Sequence, residues 1–247
     1  MNGVHDAGHA RRVEPRATLP PVDPLANTNW SAASTVAGFS QSPPNATLMR
    51  FMADERDRRP IRRLLDVGCG AARNAGPLAD AGLEVLGTDL SWPMLQAARS
   101  RPRSKQGRLD LALSPMEILP VQDRSFDMVV AHGIWNLAPS GALFRQAARE
   151  AARACRPGAS LFLFTFSRNT LPEGARPIPG ETFVFTQFSG QPQCFLTEDE
   201  LVSELRACGF VRDPDRPLTE YNRPQPGQLQ APRGPVIYEG TFRRVSD

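Results

Sequence analysis

From residue 61 onward, short apolar runs alternate with stretches of helical period. IRRLLDVG (61–68) is an apolar run ending in glycine, as a strand buried on both faces would be. RNAGPLADAG (73–82) follows with helical spacing and a glycine stop. The rhythm then repeats. Strands are predicted at LEVLGTDL (83–90), RLDLAL (108–113), SFDMVVAHG (125–133) and SLFLFTFS (160–167). Helices are predicted at 91–100, with Ser91 as N-cap and a proline in the first turn, and at 141–155, ending before Pro157. TEDELVSELRACGF reads as one more helix, with Thr197 as N-cap, Glu200 as its capping-box partner and Gly209 as the stop. Upstream, Leu48, Met49, Phe51 and Met52 mark a helix over 45–58 capped by Asn45. Residues 210–220 and 235–244 read as a closing antiparallel pair, and FVFTQF within 183–188 as a short strand. Alternation at this spacing predicts an α/β fold: a parallel sheet of about seven strands, an antiparallel C-terminal hairpin, and helices on both faces.

Composition narrows the picture. The chain has 247 residues and a net charge of +3, enough for a single large core. Residues 1–28 are polar and Pro-rich and read as a disordered tail, leaving 29–247 as one domain. No apolar run nears the roughly 18 residues that cross a bilayer, and no signal pattern opens the chain, so a cytoplasmic protein without membrane contact is expected. All but one of the 29 basic residues are arginine, the exception being Lys105. They are scattered among acids rather than gathered in a stripe, which argues against nucleic acid as a partner. Cys69, Cys155, Cys194 and Cys208 show no CxxC spacing and no histidine at ligand spacing, so no metal site is expected.

The chemistry concentrates in LLDVGCGAARNAGPLADAGLEVLGTDLSWPML (64–95). A strand runs into Gly68-Cys69-Gly70 and then a helix, a turn that bares backbone N–H groups to a ligand. Asp89 stands at the end of the next strand, where a carboxylate accepts from ribose hydroxyls. This is a Rossmann-like nucleoside site. Arg73 occupies the position of the third glycine in a dinucleotide fingerprint, which disfavours an NAD-dependent oxidoreductase and leaves Arg73 free to clamp an anion.

These residues resemble the class I S-adenosylmethionine-dependent methyltransferases, especially the small-molecule type called methyltransferase type 11. The resemblance runs through Leu64–Gly70, through Asp89 in GTDLSWPML, through MEILPVQDRSFDMVV (116–130), and through helix 141–155 followed by RPGASLFL. It implies transfer of a methyl group from S-adenosylmethionine to a small-molecule acceptor. It also implies that Asp66, Gly68, Cys69, Gly70 and Arg73 face the methionine end. Asp89 would hold the ribose, and Leu90 and Met94, with Trp92, would lie against adenine. Met116 and Glu117 would border the adenine edge. Where the family commonly has an aspartate for the adenine amino group, this chain has Ser114-Pro115. On the acceptor side the resemblance places His132 as general base or orienting group, with Trp135 and Asn136 lining the pocket. It makes the segment 29–59 a lid carrying Trp30 and Phe39. The insertion 168–196 would bring Phe183, Phe185, Phe188 and Phe195 as an apolar wall. A catalytically silent binding protein on the same fold is the competing reading.

Overall fold

A computed structural model describes residues 22–104, 106–223 and 234–245. The elements run α1 (Ala33–Gln41), α2 (Ala46–Arg58), β1 (Arg63–Val67), α3 (Ala75–Asp80), β2 (Glu84–Asp89), α4 (Trp92–Ser100), β3 (Arg108–Leu113) and β4 (Phe126–His132). They continue with α5 (Gly141–Ala154), β5 (Cys155–Phe166), β6 (Val184–Phe185), β7 (Gln193–Cys194), α6 (Glu198–Ala207), β8 (Phe210–Arg212), β9 (Thr219–Tyr221) and β10 (Ile237–Arg244). The main sheet has the order β3-β2-β1-β4-β5-β10-β8, with β9 also paired to β10. Strands β1 to β5 are parallel, and β10 is antiparallel to β5, β8 and β9. The expected parallel sheet with an antiparallel C-terminal closure is what forms.

Alternate residues of the central strands feed two cores. Leu65, Val67, Val129 and Leu161 pack with α5 and α6 on one face. Leu64, Met128, Val130 and Phe162 pack with α2, α3 and α4 on the other. The predicted caps form: Asn45, Ser91 and Thr197 accept from the backbone three residues on, and Thr197 and Glu200 close a full capping box.

Several expectations shift. Helix α1 lies in a stretch read only as a lid segment, and α3 starts at Ala75 because the turn before it takes Ala72 into left-handed backbone at φ +57°. Strand β5 starts five residues early, at Cys155. Order begins before residue 29, since the Asp23 carboxylate accepts from the backbone N–H of Trp92. The rest of the expected tail, 1–21, lies outside the described residues. Among the described residues no helix is long and apolar enough to cross a membrane. The four cysteines are buried free thiols.

A buried ion network pins α2 to the far side of the sheet. Glu55 is fully buried, accepts from Ser160 Oγ at 2.7 Å, and pairs with Arg59 at 2.9 Å and with Arg243. Arg243 also reaches Asp213 at 2.7 Å. Burial alone would raise the Glu55 carboxyl, but the hydrogen bonds and charge of Arg243 and Ser160 outweigh it and hold it below its ordinary range.

Candidate functional site

The carboxyl ends of β1, β2 and β4 border a cavity of about 490 Å³. That is the position where open parallel sheets bind ligands, and the volume is that of a small-molecule site. Gly68 and Gly70 line it in left-handed backbone, at φ +70° and +53°. A Cβ on Gly68 would lie 2.6 Å from Ile134 Cγ1, so bare backbone faces the cavity at this point. We expect Gly68→Ala to weaken nucleoside-ligand binding at least tenfold and to lower the melting temperature by a few degrees, because strained φ costs roughly 1–2 kcal/mol before the clash is added. Parallel titration and thermal melting check this.

Asp89 sits on the cavity wall with its carboxylate fixed by two backbone donors, Gly70 N at 2.8 Å and Ser91 N at 2.8 Å. Burial raises its pKa, and those N–H groups oppose the rise. Leu90, Met94, Ser114, Met116 and Glu117 line the same end. Ser114 spends its hydroxyl proton on the Ile118 carbonyl, at 2.6 Å, and keeps its lone pairs for a donor.

Arg73 and His132 meet at the other end. Arg73 Nη2 lies 3.3 Å from both ring nitrogens of His132, and its Nη1 donates to the Pro43 carbonyl at 3.3 Å. The imidazole stacks on Phe164 with centroids 4.3 Å apart. Its Nε2 is 3.1 Å from Asn45 Nδ2, which also donates to Glu239 Oε1 at 2.7 Å. Burial, and then the Arg73 charge, push His132 down to about 3, so the ring is neutral at physiological pH. Beyond it the wall is apolar, made by Leu137, Pro139, Leu143, Phe164 and Phe166.

Three cavity residues, Leu25, Trp30 and Phe39, come from the N-terminal segment. Trp30 and Phe39 line the cavity with ring centroids 6.2 Å apart. Their segment is tied to α4: Ser31 and Ser91 hydroxyls are 2.9 Å apart, and Arg101 donates to the Ser40 carbonyl at 3.0 Å.

Five expected site residues are elsewhere, and the first, Trp92, packs against the core under α2, α3 and α4 without lining the cavity. Trp135 is fully buried edge-on to Phe144 and belongs to the core, because the loop after β4 turns inward there. Asn136 is buried beside it and does not line the cavity. Cys69 lies behind the glycine turn, its sulfur occupying the space that a Cβ on Gly87 would need. Asp66 is buried beneath the turn and bonded by the Ala75 backbone, with Oδ2 unpartnered among the described residues. Nor does the insertion supply the apolar wall. Phe183 packs in the main core, Phe185 and Phe195 in a small separate one, and Phe188 is 44% exposed. Asn45 was read only as a helix cap, and Glu239, Ile134 and Phe166 were not singled out from sequence; Phe164 and Phe166, two apart at the end of β5, carried the one signal available.

Burial raises Asp66 to about 7 despite the opposing charge of Arg73. Its native pKa lies above its unfolded value, so its contribution to stability is whole below about pH 4 and lost as pH rises toward 7. In Asp66→Asn that loss is absent. The stability difference should move in the variant's favour by about 4 kcal/mol between pH 4 and pH 8, read by urea unfolding at both.

Comparison with known proteins agrees with this geometry. Residues 65–163 match the methyltransferase domain family. The demethylmenaquinone methyltransferase of Renibacterium salmoninarum is 32% identical over 122 residues, 49% of this chain and 48% of that protein. The ubiquinone biosynthesis O-methyltransferase of Hahella chejuensis is 32% identical over 146 residues, 59% of each chain. The matched stretch thus spans about half the length of these relatives. The 1,6-didemethyltoxoflavin-N1-methyltransferase of Burkholderia thailandensis, solved with 1,6-didemethyltoxoflavin and S-adenosylhomocysteine bound, superposes with a TM-score of 0.60 at 18% identity, covering 88% of this chain and 81% of that one. Domain match, sheet order and glycine turn agree in making residues 65–163 similar to the methyltransferase domain family.

Proposed function

We propose that this chain methylates a small, largely apolar acceptor, using S-adenosylmethionine. The observation that carries the reading is one continuous cavity joining two chemically different ends. One end has the glycine turn, the fixed Asp89 carboxylate and Ser114; the other is walled by Phe164, Phe166, Leu137 and Pro139. The first end fits a nucleoside: bare backbone at Gly68 and Gly70, a buried acceptor for ribose hydroxyls, and apolar Leu90 and Met94 for a base. The second fits an apolar ring, in keeping with relatives named for demethylmenaquinone and ubiquinone biosynthesis.

S-adenosylmethionine supplies an electrophilic methyl group on a sulfonium. The protein's part is to align the acceptor with it and keep water out. Trp30 and Phe39 cover the cavity from α1 and the segment before it. Phe164 and Phe166 hold the acceptor ring, and His132 fixes its orientation from the end of β4.

Titrating the protein separately with S-adenosylhomocysteine and with NAD tests the reading. It requires micromolar binding of the first, roughly −8 kcal/mol, and none of the second. Binding without turnover over a panel of phenolic and quinol acceptors would instead favour the catalytically silent protein.

A further inference from the structure

We infer that Asn45 is a positioning residue for the acceptor end of the cavity. With Glu239 behind it, Asn45 fixes the His132 proton on Nδ1 and occupies the Nε2 lone pair, so that His132 holds the acceptor in place and does not take its proton. This rests on the methyl transfer proposed above and adds how its acceptor is held.

The first support is that Asn45 is itself held from several sides. Its backbone N–H donates to Oδ1 of buried Asn74 at 2.9 Å, next to the glycine turn. Its side-chain Oδ1 accepts from Leu48 N at 2.7 Å as the cap of α2, which leaves Nδ2 as the other end of the amide. Nδ2 gives one proton to the buried Glu239 carboxylate at 2.7 Å, which only accepts, and turns the other to His132 Nε2 at 3.1 Å. Turning the amide over would set oxygen against the Glu239 carboxylate and N–H against the Leu48 N–H. Neither Asn45 nor Glu239 lines the cavity, so both act on a bound acceptor through His132, which does.

The second support is what this leaves on the imidazole. A donor at Nε2 needs a lone pair there, and the one proton of a neutral ring is then on Nδ1. The backbone carbonyl of His132 itself is a hydrogen-bond partner that favours a ring proton. The ring is stacked on Phe164, and Arg73 Nη2 lies 3.3 Å from both nitrogens. The charged groups set against it are Arg73 from the turn before α3, with Asp66 behind Arg73, and, through Asn45, Glu239 from β10. A second ring proton would put an N–H against the Asn45 donor and a second cation against Arg73. A proton released by the acceptor therefore passes to water and not to the imidazole.

Nuclear magnetic resonance of the full chain, with isotope-labelled histidine, reads the tautomer directly, because protonated and unprotonated ring nitrogens resonate far apart. His132 is one of three histidines, and its signal is the one missing from His132→Gln. Wild type is expected to show one neutral form with the proton on Nδ1, unchanged from about pH 5 to pH 8, where an ordinary histidine titrates. Aspartate and serine cap helices about as well as asparagine, so substitution by either keeps the start of α2. Asn45→Asp sets an oxygen against Nε2 and should move the proton there and bring the titration into that range. Asn45→Ser, too short to reach Nε2, should give a mixture of the two neutral forms. A kinetic arm uses the phenol or quinol that turns over best, at saturating S-adenosylmethionine. His132→Gln should raise its KM about tenfold and leave kcat within about threefold, as loss of a holding contact does. Loss of a base would instead lower kcat by roughly 10²–10⁴. The inference is overturned by a wild-type His132 that titrates in that range or carries its proton on Nε2. It is equally overturned by Asn45→Asp keeping the wild-type form, or by collapse of kcat in His132→Gln. Absence of turnover would count against the proposed function alone, because the tautomer is read without an acceptor.

Discussion

Asp89→Ala should weaken S-adenosylhomocysteine binding about a hundredfold while leaving the protein folded. The carboxylate is already aimed, held at 2.8 Å by both Gly70 N and Ser91 N. Ribose hydroxyls would add two hydrogen bonds to a charged acceptor, each worth about 1.5–3 kcal/mol, and every 1.4 kcal/mol is tenfold in affinity. The substitution also frees the Gly70 N–H, loosening the turn that the ligand's other end touches. Calorimetric titration reads the loss. Asp89→Asn keeps one oxygen for the backbone donors and should fall between wild type and alanine. An alanine variant that binds as tightly as wild type would remove Asp89 from the nucleoside site.

The largest effect on stability should come from Glu55→Gln, at about 3 kcal/mol or a fall of roughly 6–12 °C in melting temperature. The carboxylate is fully buried and shared among Arg59, Arg243 and Ser160, so removing its charge leaves Arg243 buried with Asp213 alone. Breaking a buried pair from one side costs far more than the pair contributes, because the remaining charge loses its compensation. The native Glu55 pKa lies below its unfolded value, so its stabilisation is present above about pH 4.5 and disappears as pH falls through the native value. Melting curves at pH 7 and pH 3.5 should therefore show wild type and variant converging at the acid end. A constant gap would mean the network acts through packing rather than charge.

Most of the sheet was readable from its period. Buried parallel strands write continuous apolar runs, helices write 3.6-residue spacing, and Asn45, Ser91 and Thr197 mark helix starts by a local mechanism. The glycine-turn end of the cavity was readable for the same reason: Gly68, Gly70 and Asp89 lie in one strand–turn–helix–strand unit. Helix α1 was not, because ASTVAGFSQ buries none of its residues and so shows no apolar stripe. Trp135 and Asn136 were misplaced because their position in the chain identifies the loop after β4 but not which way each side chain turns. The insertion misled likewise: a phenylalanine-rich segment has the same composition whether it walls a cavity or packs a core. His132 was singled out from its place at a strand end, but its partners come from opposite ends of the chain, which no local pattern encodes.

That last point bears on how the protein comes to be active. Asn45 bridges His132 to Glu239, residues joined through a contact spanning 194 positions. The strand carrying Glu239 must insert between β5 and β8 before the imidazole is locked in one tautomer. During synthesis the glycine turn and Asp89 emerge early and have their neighbours at hand, whereas the acceptor end waits for nearly the whole chain. On the proposed function, the two ends of the cavity should thus be completed at different moments of folding, with closure of β10 as the step that fixes His132.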